Sequence, residues 1–125
     1  MKILIVEDVV LIADYIREIL TINNIHDIWH ATEGNDAIRK VLEYDPDIVL
    51  MDIKIDGDID GIETSRILRS KGYKKPIIFV TAYSDEETIK NISDISFSTY
   101  ILKPVDETKL ITTIRNTLSV KHPLV

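Results

Sequence analysis

Five residues in this chain could do chemistry together, and each one follows a short apolar run. Glu7 and Asp8 follow Lys2–Val6 (KILIV), Asp52 follows Asp47–Met51 (DIVLM), Thr81 follows Pro76–Val80 (PIIFV) and Lys103 follows Thr99–Leu102 (TYIL). Carboxylates, a hydroxyl and an ammonium make a set suited to one kind of reaction. Two carboxylates about 4 Å apart repel by roughly 4 kcal/mol at an effective dielectric near 20, and a single lysine does not offset three acids. A hard dication does, and a donor set made only of oxygens favours Mg²⁺ over softer metals. A carboxylate nucleophile beside a metal, a hydroxyl donor and a lysine suits phosphoryl transfer, in which positioning and charge neutralisation supply most of the catalysis.

Taken singly, each residue has a plainer role. Asp8 could cap the helix that follows it, Glu7 and Asp52 could be solvated strand ends, Thr81 a loop threonine and Lys103 a counter-charge to the acids. What singles them out is their common position, which depends on the elements that carry them. Runs that are apolar at every position read as strands buried on both faces, as in a parallel sheet; Ile25–Ala31 is a weaker candidate of the same kind. Helical patterns lie between the runs. Ile12, Ile16, Ile19 and Leu20 share one face, as do Ala37, Ile38, Val41 and Leu42, and later Leu110, Ile111, Ile114 and Leu118. Asp60 with Glu63 and Ser84 with Glu87 have capping-box spacing, the second ahead of Ile89 and Ile92, and Gly72 is placed to end the third helix. Strand and helix alternate five times, which predicts an α/β domain with helices on both faces of a parallel sheet. In such a sheet the carboxyl ends of all strands lie along one edge, where ligands bind. The five residues meet there.

The bulk properties agree and exclude several classes. A length of 125 residues predicts one domain over 1–125, with 120–125 as a tail, and 45% hydrophobic with 29% charged residues is a globular composition. There is no cysteine, so thiol catalysis and zinc thiolate sites are ruled out, and a reducing compartment, the cytoplasm, is the expected location. No apolar run reaches the ~18–20 residues of a membrane span. A net charge of −6 argues against direct contact with a nucleic-acid backbone.

The segments KILIVEDV, DIVLMDI, PIIFVTAYSDEE and YILKPVDE, in this order and spacing, resemble the receiver domain of two-component response regulators over essentially the whole chain. The resemblance implies a flavodoxin-like, doubly wound, five-stranded parallel sheet of order 2-1-3-4-5 with five helices on both faces, an order that general accounts of this fold give for the family itself. It implies that Asp52 is the phosphoacceptor and that Asp8 and Asp52 bind Mg²⁺ with the backbone carbonyl of Lys54, while Glu7, standing where the family more often has Asp, contacts the ion directly or through water. Thr81 and Lys103 would bind phosphoryl oxygens, Lys103–Pro104 would be a cis peptide bond, and Thr81 with Tyr100 would form the switch. The implied partners are a sensor histidine kinase or phosphotransfer domain, a downstream effector on the face of the fourth helix, last strand and last helix around Tyr100, Lys109 and Arg115, and a second copy of the chain. The output domain would lie outside this chain, which is either a stand-alone receiver or part of a longer protein.

Two features belong to this sequence in particular. Ile53–Asp60 (IKIDGDID) lacks the family's usual Met-Pro step and adds Asp56 and Asp58, which with Gly57 favour Asx-type turns. The start of the first helix, Val9-Val10-Leu11-Ile12-Ala13, is apolar on every side, so some of it must be exposed, and Val9 and Val10 become candidates for kinase docking. Rival readings are weaker. Asp56–Gly61 matches the opening of a calcium-binding EF-hand loop, but the twelfth position is Ile67 in place of a bidentate Glu. A haloacid-dehalogenase-like phosphohydrolase needs a second Asp where Lys54 stands, and a nucleotide binder needs a glycine-rich loop after the first strand, which is missing.

Overall fold

The β-branched runs form strands and the amphipathic stretches form helices, in strict alternation. A computed structural model of the chain describes residues 1–119; the 120–125 tail expected from the sequence lies outside the described residues. The elements are β1 (Lys2–Val6), α1 (Val10–Ile22), β2 (Asp27–Ala31), α2 (Gly34–Tyr44), β3 (Ile48–Met51), α3 (Gly61–Ser70), β4 (Ile77–Thr81), α4 (Glu86–Ser93), β5 (Ser98–Leu102) and α5 (Glu107–Ser119). The sheet is parallel throughout, in the order β2-β1-β3-β4-β5. No helix among the described residues is long and apolar enough to cross a membrane.

Alternate residues of β1, β3 and β4 feed two separate cores, as the two-residue repeat of a strand requires. Ile3, Ile5, Leu50, Ile78, Val80 and Ile101 pack against Ala13, Ile16 and Leu20 of α1 and Leu110 and Ile114 of α5. Leu4, Val6, Val49, Met51, Ile77 and Phe79 face the other way, toward Ala37 and Val41 of α2, Leu68 of α3 and Ile92 of α4. Each such side chain, fully buried, contributes about 1.5–3 kcal/mol, which is why β1, β3 and β4 are continuous apolar runs. The reading of Thr99–Leu102 as buried on both faces is corrected: only Ile101 is buried there, because β5 is an edge strand. Leu42 and Leu118 are also exposed, although they share the apolar faces of their helices. Ala37 and Val41 already fill the narrow stripe by which α2 meets the sheet, and Leu118 lies in the final turn of α5.

Local signals set the helix ends. Asp60 caps α3 by accepting from the Glu63 N–H at 2.8 Å, and Gly72 stands just past that helix with φ +94. The cap of α4 is Asp85, which accepts from the Thr88 N–H, and not Ser84. Aspartate caps as well as serine, and this start places Glu86 and Glu87 in the first turn, where the helix dipole favours anions. Asp8 does not cap α1 either: the N-cap is Val9, and its N–H is taken by Glu7 Oε2 at 3.2 Å. That leaves the Asp8 carboxylate available at the sheet edge.

Candidate functional site

The parallel ladder runs on past the strand ends and fixes the backbone on which the five residues sit. The Glu7 N–H donates to the Ala31 carbonyl, the Asp52 N–H to that of Val6 and the Lys103 N–H to that of Thr81, at 3.0, 2.9 and 2.8 Å. Glu7 is 2% exposed, Asp52 6%, and Thr81 is fully buried. The Lys103–Pro104 bond is cis. The Lys103 ammonium donates to Glu7 Oε1 at 2.8 Å and to Asp52 Oδ2 at 2.9 Å, so one cation bridges two acids from different strands. The other oxygen of Asp52, Oδ1, accepts from the N–H of Ile53 at 2.7 Å. Asp8 completes a group of three in which one carboxylate oxygen from each of Glu7, Asp8 and Asp52 lies within 4.8 Å of the others.

The remaining expected residues surround this centre. The hydroxyl oxygen of Thr81 accepts from the Tyr83 N–H at 3.0 Å. Tyr100 is 40% exposed on β5. Lys54 is exposed, with its ammonium 5.4 Å from the centre of the Tyr83 ring. Val9 and Val10 are both exposed, as are Leu11 and Tyr15. Asp56 is not in the acidic group; it forms a parallel bridge with Glu33 and ties the β3–α3 loop to the start of α2. Two contacts left no signal in the sequence: the clamp from the Ile53 N–H, and a 2.7 Å hydrogen bond between His30 Nε2 and the Glu7 carbonyl. Both join a side chain to a backbone group, a pairing that spacing does not encode.

The electrostatics follow from this crowding. Desolvation pushes the Glu7 carboxyl up from 4.5 to about 7; the nearby Asp52 adds to the rise, and the Lys103 and Val9 hydrogen bonds oppose it. Burial works against the Lys103 ammonium, but its bonds to Glu7 and Asp52 outweigh that and hold its pKa above the ordinary lysine value. The raised Glu7 value has a consequence for stability without divalent cations. Between 4.5 and about 7 the folded chain holds a proton that the unfolded chain releases, so the Glu7 contribution to stability falls as pH rises through this window. A shift of that size corresponds to a loss on the order of 3 kcal/mol. Glu7→Gln should remove this contribution: in EDTA, denaturant unfolding should show the variant gaining on wild type from pH 5 to pH 8. A gap that stays constant across that range would contradict it.

A five-stranded doubly wound sheet with a cluster of acids, a lysine and a buried threonine at the carboxyl ends of its strands defines a flavodoxin-like α/β protein with a charged site along that edge. Relatives narrow this class. The family model for the response regulator receiver domain matches residues 3–115. The fold superposes on the BeF3-activated N-terminal receiver domain of Klebsiella pneumoniae RstA with a TM-score of 0.87 at 28% identity, covering 96% of this chain and 100% of that one. The signal receiver domain of a modulated diguanylate cyclase from Desulfovibrio desulfuricans G20 gives 0.81 at 32% identity, covering 94% and 92%. A CheY-like response regulator receiver domain protein from Methanospirillum hungatei JF-1 gives 0.85 at 26% identity, again covering 94% and 92%. The chain belongs to the response regulator receiver domain family.

Proposed function

We propose that this domain switches a signalling pathway by accepting a phosphoryl group on Asp52 in a Mg²⁺-dependent reaction. One observation carries the reading: the Asp52 carboxylate is held by Lys103 and the Ile53 N–H within a group of three acids that share one small volume. The donor set suits Mg²⁺, since it is oxygen only and its acids are left undercompensated by the single ammonium. Asp8 and Asp52 would hold the ion with the Lys54 carbonyl, and Glu7 would do so directly or through water. When bound, the ion neutralises the acids and withdraws charge from the phosphoryl oxygens.

The donor is the phosphohistidine of a sensor kinase or phosphotransfer domain, or a small acyl phosphate such as acetyl phosphate. An Asp52 oxygen forms the new P–O bond as the donor's P–N or P–O bond breaks, and the departing imidazole or carboxylate keeps the electron pair. Lys103 and the Thr81 hydroxyl then bind phosphoryl oxygens. Thr81 must let go of the Tyr83 N–H to do so, and its movement opens space for Tyr100 to turn inward. This biases an existing equilibrium between an outward and an inward form. The exposure of Tyr100 on β5 supports reading this arrangement as the outward one.

The face formed by α4, β5 and α5 around Tyr100, Lys109 and Arg115 would carry the output to a protein effector or to a second copy of the chain. The same reading places the domain in the cytoplasm and assigns it no direct contact with nucleic acid. Beryllofluoride, which activates the Klebsiella relative, gives the test. With Mg²⁺ it should shift the NMR signals of Thr81 and move the Tyr100 ring into a buried environment. Unchanged Tyr100 signals at saturating beryllofluoride would overturn the switch.

The exposed apolar start of α1 is the proposed dock for the donor protein. Val10→Ser should slow transfer from a phosphohistidine donor several-fold and leave labelling by acetyl phosphate unchanged. Equal transfer rates for the two proteins would remove α1 from the docking surface.

A further inference from the structure

We infer that Gly61 is a positioning residue for Asp52, an assignment that rests on the phosphoacceptor reading above. Gly61 is the first residue of α3, and its φ lies outside the left-handed range that favours glycine. Its backbone would therefore suit any residue, and glycine is among the poorest helix formers. Space explains its presence. A Cβ at Gly61 would lie 2.0 Å from the Asp52 carbonyl oxygen and 2.9 Å from both the Asp52 carbonyl carbon and the Ile53 Cα, and all three are backbone atoms. No side-chain rotation relieves such a contact; the peptide itself must move.

That peptide is the one that aims the phosphoacceptor. Its carbonyl belongs to Asp52 and its N–H to Ile53, and this N–H donates to Asp52 Oδ1 at 2.7 Å. The next carbonyl, that of Ile53, accepts from the Gly61 N–H at 2.8 Å. The start of α3 is thus pressed flat against the unit that fixes one carboxylate oxygen, while Lys103 fixes the other at 2.9 Å. A methyl group at position 61 tilts the Asp52–Ile53 peptide, turns its N–H and frees Oδ1. Misplacement of a reacting group by about 1 Å costs on the order of 10²-fold in rate.

Gly34 supplies a matched control. It too opens a helix and is closely packed, but a Cβ there would meet side-chain atoms, Thr64 Oγ1 at 2.1 Å and Ile59 Cγ1 at 2.6 Å, and not the Asp52 peptide. The experiment compares wild type, Gly61→Ala and Gly34→Ala by the maximal rate of labelling with acetyl phosphate at saturating Mg²⁺ and by the ¹⁵N–¹H signal of Ile53. Gly61→Ala should lower the maximal rate about ten- to hundredfold and shift the Ile53 amide upfield, while Gly34→Ala keeps the rate within about twofold and the Ile53 signal in place. Equal rates for wild type and Gly61→Ala, or the same loss and the same shift in both variants, would overturn the assignment. If wild type is not labelled at all, the phosphoacceptor reading fails, and the Ile53 shifts still decide whether Gly61 holds the clamp. Should Gly61→Ala not fold, hydrogen exchange in wild type decides: the Ile53 amide should be strongly protected, and exchange at the rate of an open loop would overturn the clamp.

Discussion

Asp52→Asn should abolish phosphoryl uptake, with a fall in initial rate of more than about 10⁴-fold, the scale seen when a covalent nucleophile is removed. The geometry makes this more than the loss of a charge. Both Asp52 oxygens accept hydrogen bonds, one from the Ile53 N–H and one from the Lys103 ammonium. An asparagine amide has one acceptor oxygen and one NH₂ group, so one of those donors must face another donor. The amide is a poor nucleophile and is also turned from its proper place. Lys103 keeps its bond to Glu7, so the sheet edge remains charge-paired and the far-ultraviolet circular dichroism should be unchanged. The readout is acid-labile phosphate after incubation with acetyl phosphate. Undiminished labelling of the variant would place the phosphoryl group on another residue.

The second large effect is expected for Lys103→Met. Among the described residues, Lys103 is the one cation that pairs with Glu7 or Asp52, and it pairs with both. Its loss leaves two buried carboxylates on neighbouring strands without a counter-charge, a repulsion of a few kcal/mol at an effective dielectric near 20. Glu7, already raised to about 7 by desolvation, would rise further and stay protonated at neutral pH. On the proposed reading, the variant also lacks the ammonium that would meet the phosphoryl oxygens. Removing one preorganised donor of this kind costs about 10²–10³-fold in rate. A more negative site should still attract divalent cations, so above pH 8 Mg²⁺ binding should be at least as tight as in wild type while labelling at saturating Mg²⁺ collapses. Calorimetric Mg²⁺ titration alongside labelling rates separates the two. Parallel loss of cation binding and labelling would mean that Lys103 supports the architecture alone.

Much of this site could be read from the order of residues because of one property of parallel sheets: every strand delivers its next residue to the same edge. Glu7, Asp8, Asp52, Thr81 and Lys103 are scattered over the sequence, yet each is the first or second residue past an apolar run. Burial explains the inner runs but not β5, an edge strand whose apolar stretch Thr99–Leu102 buries only Ile101. β1, β3 and β4 sit inside the sheet and are apolar except for Lys2 and Thr81 at their ends, whereas β2, an edge strand reading DIWHA, mixes charge with aromatic and aliphatic residues and gave a weaker signal. Where two residues could do the same local job, spacing could not choose: Ser84 and Asp85 are adjacent and both cap helices, and the fold uses Asp85. Helical periodicity also placed Leu42 and Leu118 on buried faces without showing how wide the buried stripe would be. The contacts of His30 with Glu7, Ile53 with Asp52 and Gly61 with the Asp52 peptide each involve a backbone group, and no periodic pattern marks them.

On the proposed reading, Asp52 takes up a phosphoryl group because a divalent cation offsets the acids around it. Intact mass measurement of the chain after incubation with acetyl phosphate, in Mg²⁺ and in EDTA, tests this most directly. A gain of one phosphoryl group in Mg²⁺, reversed by hydroxylamine and missing in EDTA, is the predicted result. An equal gain in EDTA, or none under either condition, would contradict it.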